Sequence, residues 1–133
     1  MLNLGLFLAT LLALGQVQAA KPHALFVVGT HHYSPHETMP ALASQLDALG
    51  WKTSVLNPSY NPEKNSKGIA GLERLQEADV AIFYTRFLTL PPDQFRLIQL
   101  YLEAGKPVVG FRTSTHAFDY PKDNSLAKWN NGF

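Results

Sequence analysis

The sequence predicts an α/β fold, a doubly wound parallel sheet of four strands in the order 2-1-3-4. Three observations carry this reading. Short apolar runs rich in β-branched residues recur along the chain, segments of helical spacing lie between them, and glycine or proline marks most junctions. Strands alternating with helices imply βαβ units with right-handed crossovers, hence parallel neighbours covered by helices on both faces. The first unit and the later ones diverge beside the first strand, which sets the order and places a crevice at that switch point.

The elements follow in turn. Residues 24–28 (Ala-Leu-Phe-Val-Val) form a continuous apolar run ending at Gly29, as a strand buried on both faces requires. Met39, Leu42, Ala43, Leu46 and Leu49 recur at helical spacing, and Gly50 supplies a stop. The start of that helix has two readings. Residues 34–37 (Ser-Pro-His-Glu) fit a capping box with proline at the first helical position, but Pro40 would then delete a bond inside the helix, so Thr38 competes as the cap. Residues 53–56 (Thr-Ser-Val-Leu) read as the second strand, and residues 59–68, rich in Asn, Pro, Lys and Ser, as an exposed loop. Ile69, Leu72 and Leu75 mark a short amphipathic helix, residues 80–84 (Val-Ala-Ile-Phe-Tyr) the third strand. Pro91-Pro92-Asp93 opens a longer helix with Phe95, Ile98, Tyr101 and Leu102 on its core face, stopped by Gly105, and residues 108–111 (Val-Val-Gly-Phe) form the fourth strand. Only a hint of a further helix follows His116, and residues 119–133 show no period. The expectation is therefore the front part of a larger, truncated domain, with fourth-strand residues under-covered and the chain after Asp119 poorly anchored.

Residues 1–20 carry no charged side chain, and residues 2–14 are almost wholly apolar, too short a run to span a bilayer. Val17 and Ala19 are small residues placed for a cut after Ala19. A cleaved export signal over residues 1–19 is expected, followed by one domain over residues 20–133 that is secreted or periplasmic and has no membrane attachment. An uncleaved anchor is the alternative. There is no cysteine, so no disulfide, lipid-attachment thiol or thiol nucleophile. Eleven Lys and Arg against ten Asp and Glu give a formal net charge of +1, and the cations do not cluster. That balance argues against a nucleic-acid or anionic-membrane partner.

The candidate site residues sit where strands end. After the first strand come His31, His32 and Tyr33, after the third Arg86, after the fourth Arg112, Thr113, Ser114, Thr115 and His116. Arginine offers a fixed fork of donors to a carboxylate, phosphate or sugar hydroxyl, although Arg86 could equally pair with an acidic neighbour such as Asp119. Residues 110–114 (Gly-Phe-Arg-Thr-Ser) occupy the place of a nucleophile elbow, but Arg112 stays protonated and cannot be the nucleophile. Ser114 and Thr115 suit helix capping and ligand hydrogen bonding, with His116 an adjacent base. His32 and His36 stand at a spacing that could share zinc on one helix face, yet no third ligand is set by spacing, and no metal is assigned. Gly29-Thr-His lacks the further glycines of a dinucleotide loop, and no cofactor is assigned.

The order strand, His-x-Tyr33, helix ending Leu-x-x-x-Gly50, then Gly-Leu-Glu-x-Leu75, Ala-Asp-Val80, Leu-Pro-Pro92 and Gly-Lys-Pro-Val-Val-Gly-Phe-Arg-Thr-x-x-His-Ala-Phe118 resembles the trehalose-utilisation (ThuA-like) family. The resemblance covers residues 23–133 and is most specific from Arg112 to Phe118. It implies a flavodoxin-like sheet, similar to that of class I glutamine amidotransferases, and the carbohydrate metabolism of exported proteins in sugar-degrading bacteria. The amidotransferase cysteine is absent and Arg112 holds its position, so cysteine-dependent glutamine hydrolysis is not expected. The family domain is about twice as long, which implies a truncated product, a completing chain or a homo-oligomer. The expected ligand is a small, sugar-like molecule held by His31, His32, Tyr33, Arg86, Arg112, Ser114 and Thr115, with His116 moving protons if the site is catalytic. A non-catalytic binding or interaction domain, or an inactive fragment, is the alternative, since the strand-end motifs contain no carboxylate pair.

Overall fold

The computed structural model describes residues 19–131. The expected export signal therefore lies outside the described residues except for its last position. The architecture is α/β with a flavodoxin-like strand order. Four strands, β1 (His23–Gly29), β2 (Lys52–Leu56), β3 (Val80–Thr85) and β4 (Val108–Gly110), form one sheet in the order β2-β1-β3-β4. Every pairing is parallel. Helix α1 (Pro35–Ala48) follows β1, and α2 (Pro92–Glu103) links β3 to β4. Among the described residues no helix is long and apolar enough to cross a membrane.

Alternation along the central strands divides the core in two. Ala24, Phe26 and Val28 of β1 join Ile82 and Tyr84 of β3 under Met39 and Ala43 of α1. Leu25 and Val27 turn the other way, with Ala81 and Phe83, against Phe95, Ile98 and Tyr101 of α2 and Leu72 and Leu75. This is why β1 reads as unbroken apolar sequence: all seven of its residues are buried.

The local departures have physical causes. Helix α1 starts at Pro35 behind Ser34, but neither hydroxyl caps it as expected. Ser34 adopts a left-handed backbone (φ 56°), and its carbonyl, not its side chain, takes the first amides, from Glu37 and Thr38. Pro40 lies inside the helix; the Ser44 hydroxyl donates to the Pro40 carbonyl. The amphipathic segment around Leu72 is a 3₁₀ turn (Leu72–Glu77), too short to pay for an α-helical nucleus. Among the described residues no α-helix follows β4; 3₁₀ turns Arg112–His116 and Ser125–Trp129 stand in its place.

The chain beyond Asp119 corrects the expectation of a loose tail. Tyr120 is buried and donates its hydroxyl to the Leu90 carbonyl, while the Asn130 side chain bonds both the amide and the carbonyl of Tyr120. Trp129 packs edge-on against Phe95 at 5.7 Å, so aromatic contacts rather than helical periodicity hold this segment. At the sheet edge, Val109 is 45% exposed, in keeping with an under-covered fourth strand.

Two tests follow from this packing. A Cβ built on Gly29 would lie 2.7 Å from Thr85 Cγ2 and 3.0 Å from Leu88 Cδ1. Gly29→Ala should therefore cost about 1–3 kcal/mol in a urea titration, from overpacking between two central strands. Burial pushes the Tyr120 hydroxyl up to about 12 from its ordinary value of 10.0. Above pH 10 the unfolded chain sheds this proton first, so the contribution is whole below pH 10 and disappears as pH rises towards 12. Stability should fall over that window, and less steeply in Tyr120→Phe.

Candidate functional site

The carboxyl ends of β1, β3 and β4 come together, and the backbone there is unusual. Four non-glycine residues among those described have positive φ: Tyr33 (66°), Ser34 (56°), Lys64 (54°) and Phe87 (49°). Tyr33 and Ser34 follow β1, Phe87 follows β3, and Lys64 is bonded to Phe87, its amide donating to the Phe87 carbonyl at 2.8 Å. Such conformations persist only where the surroundings fix them, and they gather at functional sites.

The segment after β4 is positioned by hydroxyls. The Thr113 Oγ1 donates to the Thr85 carbonyl at 2.8 Å, and the Ser114 Oγ donates to the Phe83 carbonyl at 3.0 Å while accepting from the Thr85 amide at 3.2 Å. The Thr85 hydroxyl lies a further 3.2 Å from Ser114 Oγ. Ser114 is buried and its hydroxyl is committed to β3, so the structure gives it a strand-holding place instead of a ligand-facing one. Its neighbours Arg112 and Thr115 point outward and are exposed.

Outside that staple, Arg112 lies over the Tyr33 ring, guanidinium carbon 4.2 Å from the centroid. Tyr33 is 52% exposed, and His32 meets its ring edge-on at 4.0 Å. Arg112, Tyr33 and His32 therefore make one open ledge, and no carboxylate pairs with Arg112 among the described residues.

Arg86 belongs to a second group. Its Nη1 donates to Glu63 Oε1 at 2.6 Å, and Glu63 Oε2 accepts from the Thr30 hydroxyl at 2.9 Å. The partner is Glu63, whereas Asp119, the acidic neighbour expected from sequence, lies 3.8 Å from Lys64. Glu63 was not among the expected site residues. It arrives because residues 59–68 are not simply an exposed loop: Glu63 forms an antiparallel bridge with Leu88, and the Tyr60 hydroxyl donates to the Gly68 carbonyl. The Phe87 ring lies under Arg86 at 4.4 Å, with His116 5.2 Å away. His116 Nδ1 is 3.3 Å from the Thr115 hydroxyl.

The histidines divide likewise. His31 stacks on His36 at 4.1 Å, and its amide donates to Asn61 Oδ1. His32 instead faces Tyr33, so the two histidines at helical spacing are engaged with different rings. Among the described residues no cluster of three or more His, Cys, Asp or Glu is placed to hold a metal ion.

The chain matches no protein-family model, and comparison with curated proteins and with solved structures finds no similar protein. The functional reading therefore rests on the site.

The hydroxyl staple makes a direct forecast. Ser114→Ala leaves the buried Thr85 amide without its side-chain acceptor and should cost about 1–3 kcal/mol by chemical denaturation. Thr115→Ala, at an exposed hydroxyl, should lie within about 0.5 kcal/mol of the parent.

Proposed function

We propose that this is an exported ThuA-like domain that binds a sugar or sugar derivative at the carboxyl ends of its strands. The observation that carries the reading is the Arg112–Tyr33 ledge. An exposed aromatic face offers an apolar platform to the C–H face of a sugar ring, and a guanidinium without a carboxylate partner offers donors to its hydroxyls. His32 at the rim of Tyr33 adds a polar group beside that platform. The ledge adjoins β1, where the chain order reverses and where parallel sheets hold their ligands. Left-handed backbone at Tyr33 and Ser34 holds the ring outward, a strain in keeping with a binding role. The likeness of residues 112–118 to the ThuA-like pattern supplies the ligand class.

Between processing and simple binding, one arrangement favours binding. Glu63, a carboxylate brought into this end of the sheet, is held by Arg86 and Thr30, and His116 rests between Thr115 and the Phe87 ring. Glycoside hydrolysis generally uses two carboxylates flanking the scissile bond, and among the described residues no carboxylate pairs with Arg112.

The test is thermal unfolding with a panel of neutral and acidic mono- and disaccharides. A ligand present at about 100 times its Kd should stabilise the parent by about 2.7 kcal/mol. Arg112→Ala and Tyr33→Ala should each lose that stabilisation and keep the unliganded unfolding temperature. Equal loss of both properties would make the pair structural, and absence of stabilisation by any sugar would remove the ligand class.

A further inference from the structure

Away from the ledge, near the amino ends of β1 and β2, two side chains converge on one serine oxygen. His23 opens β1, Ser54 lies within β2, and Arg74 reaches them from the turn Leu72–Glu77. His23 and Ser54 are 3% and 7% exposed, so neither is an ordinary surface residue. His23 Nε2 lies 2.9 Å from Ser54 Oγ, and His23 Nδ1 lies 3.3 Å from the Glu77 carbonyl. Arg74 Nη2 donates to the same Ser54 Oγ. The backbone of His23 is clamped as well: its amide donates to Asp79 Oδ2 at 2.7 Å, and its carbonyl accepts from the Asp79 amide at 2.9 Å.

The arginine sets the direction of the protons in this array, because a guanidinium only donates. With Arg74 donating to Ser54 Oγ, the serine's own hydrogen is directed to His23 Nε2. Nε2 is then the acceptor, and the ring proton sits on Nδ1, where the Glu77 carbonyl receives it. A hydroxyl that donates to an imidazole, whose other nitrogen is oriented by a third group, is the arrangement of a nucleophile and its base. Here a main-chain carbonyl fills the orienting place. Arg74 adds a positive charge beside the oxygen that gives up its proton, and it forms no ion pair with a carboxylate among the described residues.

We propose that Ser54 is a nucleophile for acyl transfer from small esters, with His23 as its base and Arg74 as the donor to the oxyanion. The ester carbonyl enters beside Oγ as the Arg74 guanidinium moves from the serine to the carbonyl oxygen. Ser54 Oγ bonds to the carbonyl carbon, and its proton passes to His23 Nε2. The bond from that carbon to the leaving oxygen then breaks, His23 returns the proton to the departing alcohol, and the acyl group stays on Ser54. Water hydrolyses the acyl-serine through the same base and releases the acid. Burial of both side chains restricts the acyl group to a short one such as acetyl. This activity is independent of the sugar ledge, since His23 begins β1 and Tyr33 lies beyond its carboxyl end.

The test incubates the folded full chain with p-nitrophenyl acetate and locates acetyl groups by mass spectrometry of its peptides. Ser54 should be acetylated with release of p-nitrophenolate, and Ser54→Ala should release it only at the rate of the background reaction. His23→Gln should slow acetylation of Ser54 about a hundredfold or more, the usual contribution of a general base. Arg74→Gln should slow it by a similar factor, as loss of an oxyanion donor does. The chain unfolded in urea should acetylate Ser54 at least as slowly as His23→Gln, because the array exists only in the fold; if either variant does not fold, this native-to-unfolded ratio decides. Acetyl groups confined to other residues, equally fast acetylation of Ser54 in the unfolded chain, or an unchanged rate in a folded His23→Gln or Arg74→Gln would each overturn the proposal.

Discussion

The end of β3 imposes the constraint on which the site depends. This strand pairs with β1 as far as Thr85, but with β4 only as far as Phe83. Past that point the main-chain groups of β3 on the β4 side are buried and have no strand to meet. An unpaired buried amide or carbonyl costs as much as a lost hydrogen bond, so the chain must supply substitutes. The Phe111 amide and the hydroxyls of Thr113 and Ser114 do so. With Thr113 and Ser114 turned inward to serve β3, the intervening geometry sends Arg112 and Thr115 out to solvent. The arginine of the ledge is exposed because its neighbours are needed inside.

The same logic explains what was legible in the sequence. Apolar runs at 24–28 and 80–84 announce strands because central parallel strands are buried on both faces, and no other placement satisfies so many adjacent apolar residues. The stripe of Phe95, Ile98 and Tyr101 announces α2 because one helix face meets the sheet. Strand order followed from the direction of the crossovers, a global rule that needs no side-chain detail. The role of Ser114 was not legible, since a hydroxyl satisfies a strand end, a helix end or a ligand equally well. Glu63 was invisible for a different reason. Its contacts to Thr30 and Arg86 join residues 33 and 23 positions apart through an irregular segment, and no period in the sequence encodes such a meeting. The packing of Tyr120 and Trp129 likewise relies on single aromatic contacts with Phe95, which leave no repeating pattern.

The two arginines at the strand ends show how environment separates like residues. Arg86 follows the central strand, is partly buried, and meets Glu63 at 2.6 Å, a charge-assisted bond that ties residues 59–68 to the sheet. Arg112 follows β4, makes no ion pair with a carboxylate among the described residues, and rests its planar cation on Tyr33. A guanidinium is well suited to that position because it is weakly hydrated and stacks, so it holds its place on the ring without neutralisation. Arg112 stays exposed in that position.

Placement also bears on the choice between chemistry and recognition. General acid–base work needs a titrating group within hydrogen-bond reach of the reacting atom and free to change protonation. Here the histidines are divided between rings: His31 with His36, His32 with Tyr33, and His116 with Phe87. Glu63 is held between the Arg86 guanidinium and the Thr30 hydroxyl. Arg112 and Tyr33 rest on each other, exposed and without a carboxylate partner among the described residues. This placement of rings and cation is the ground for proposing recognition as the role of the site.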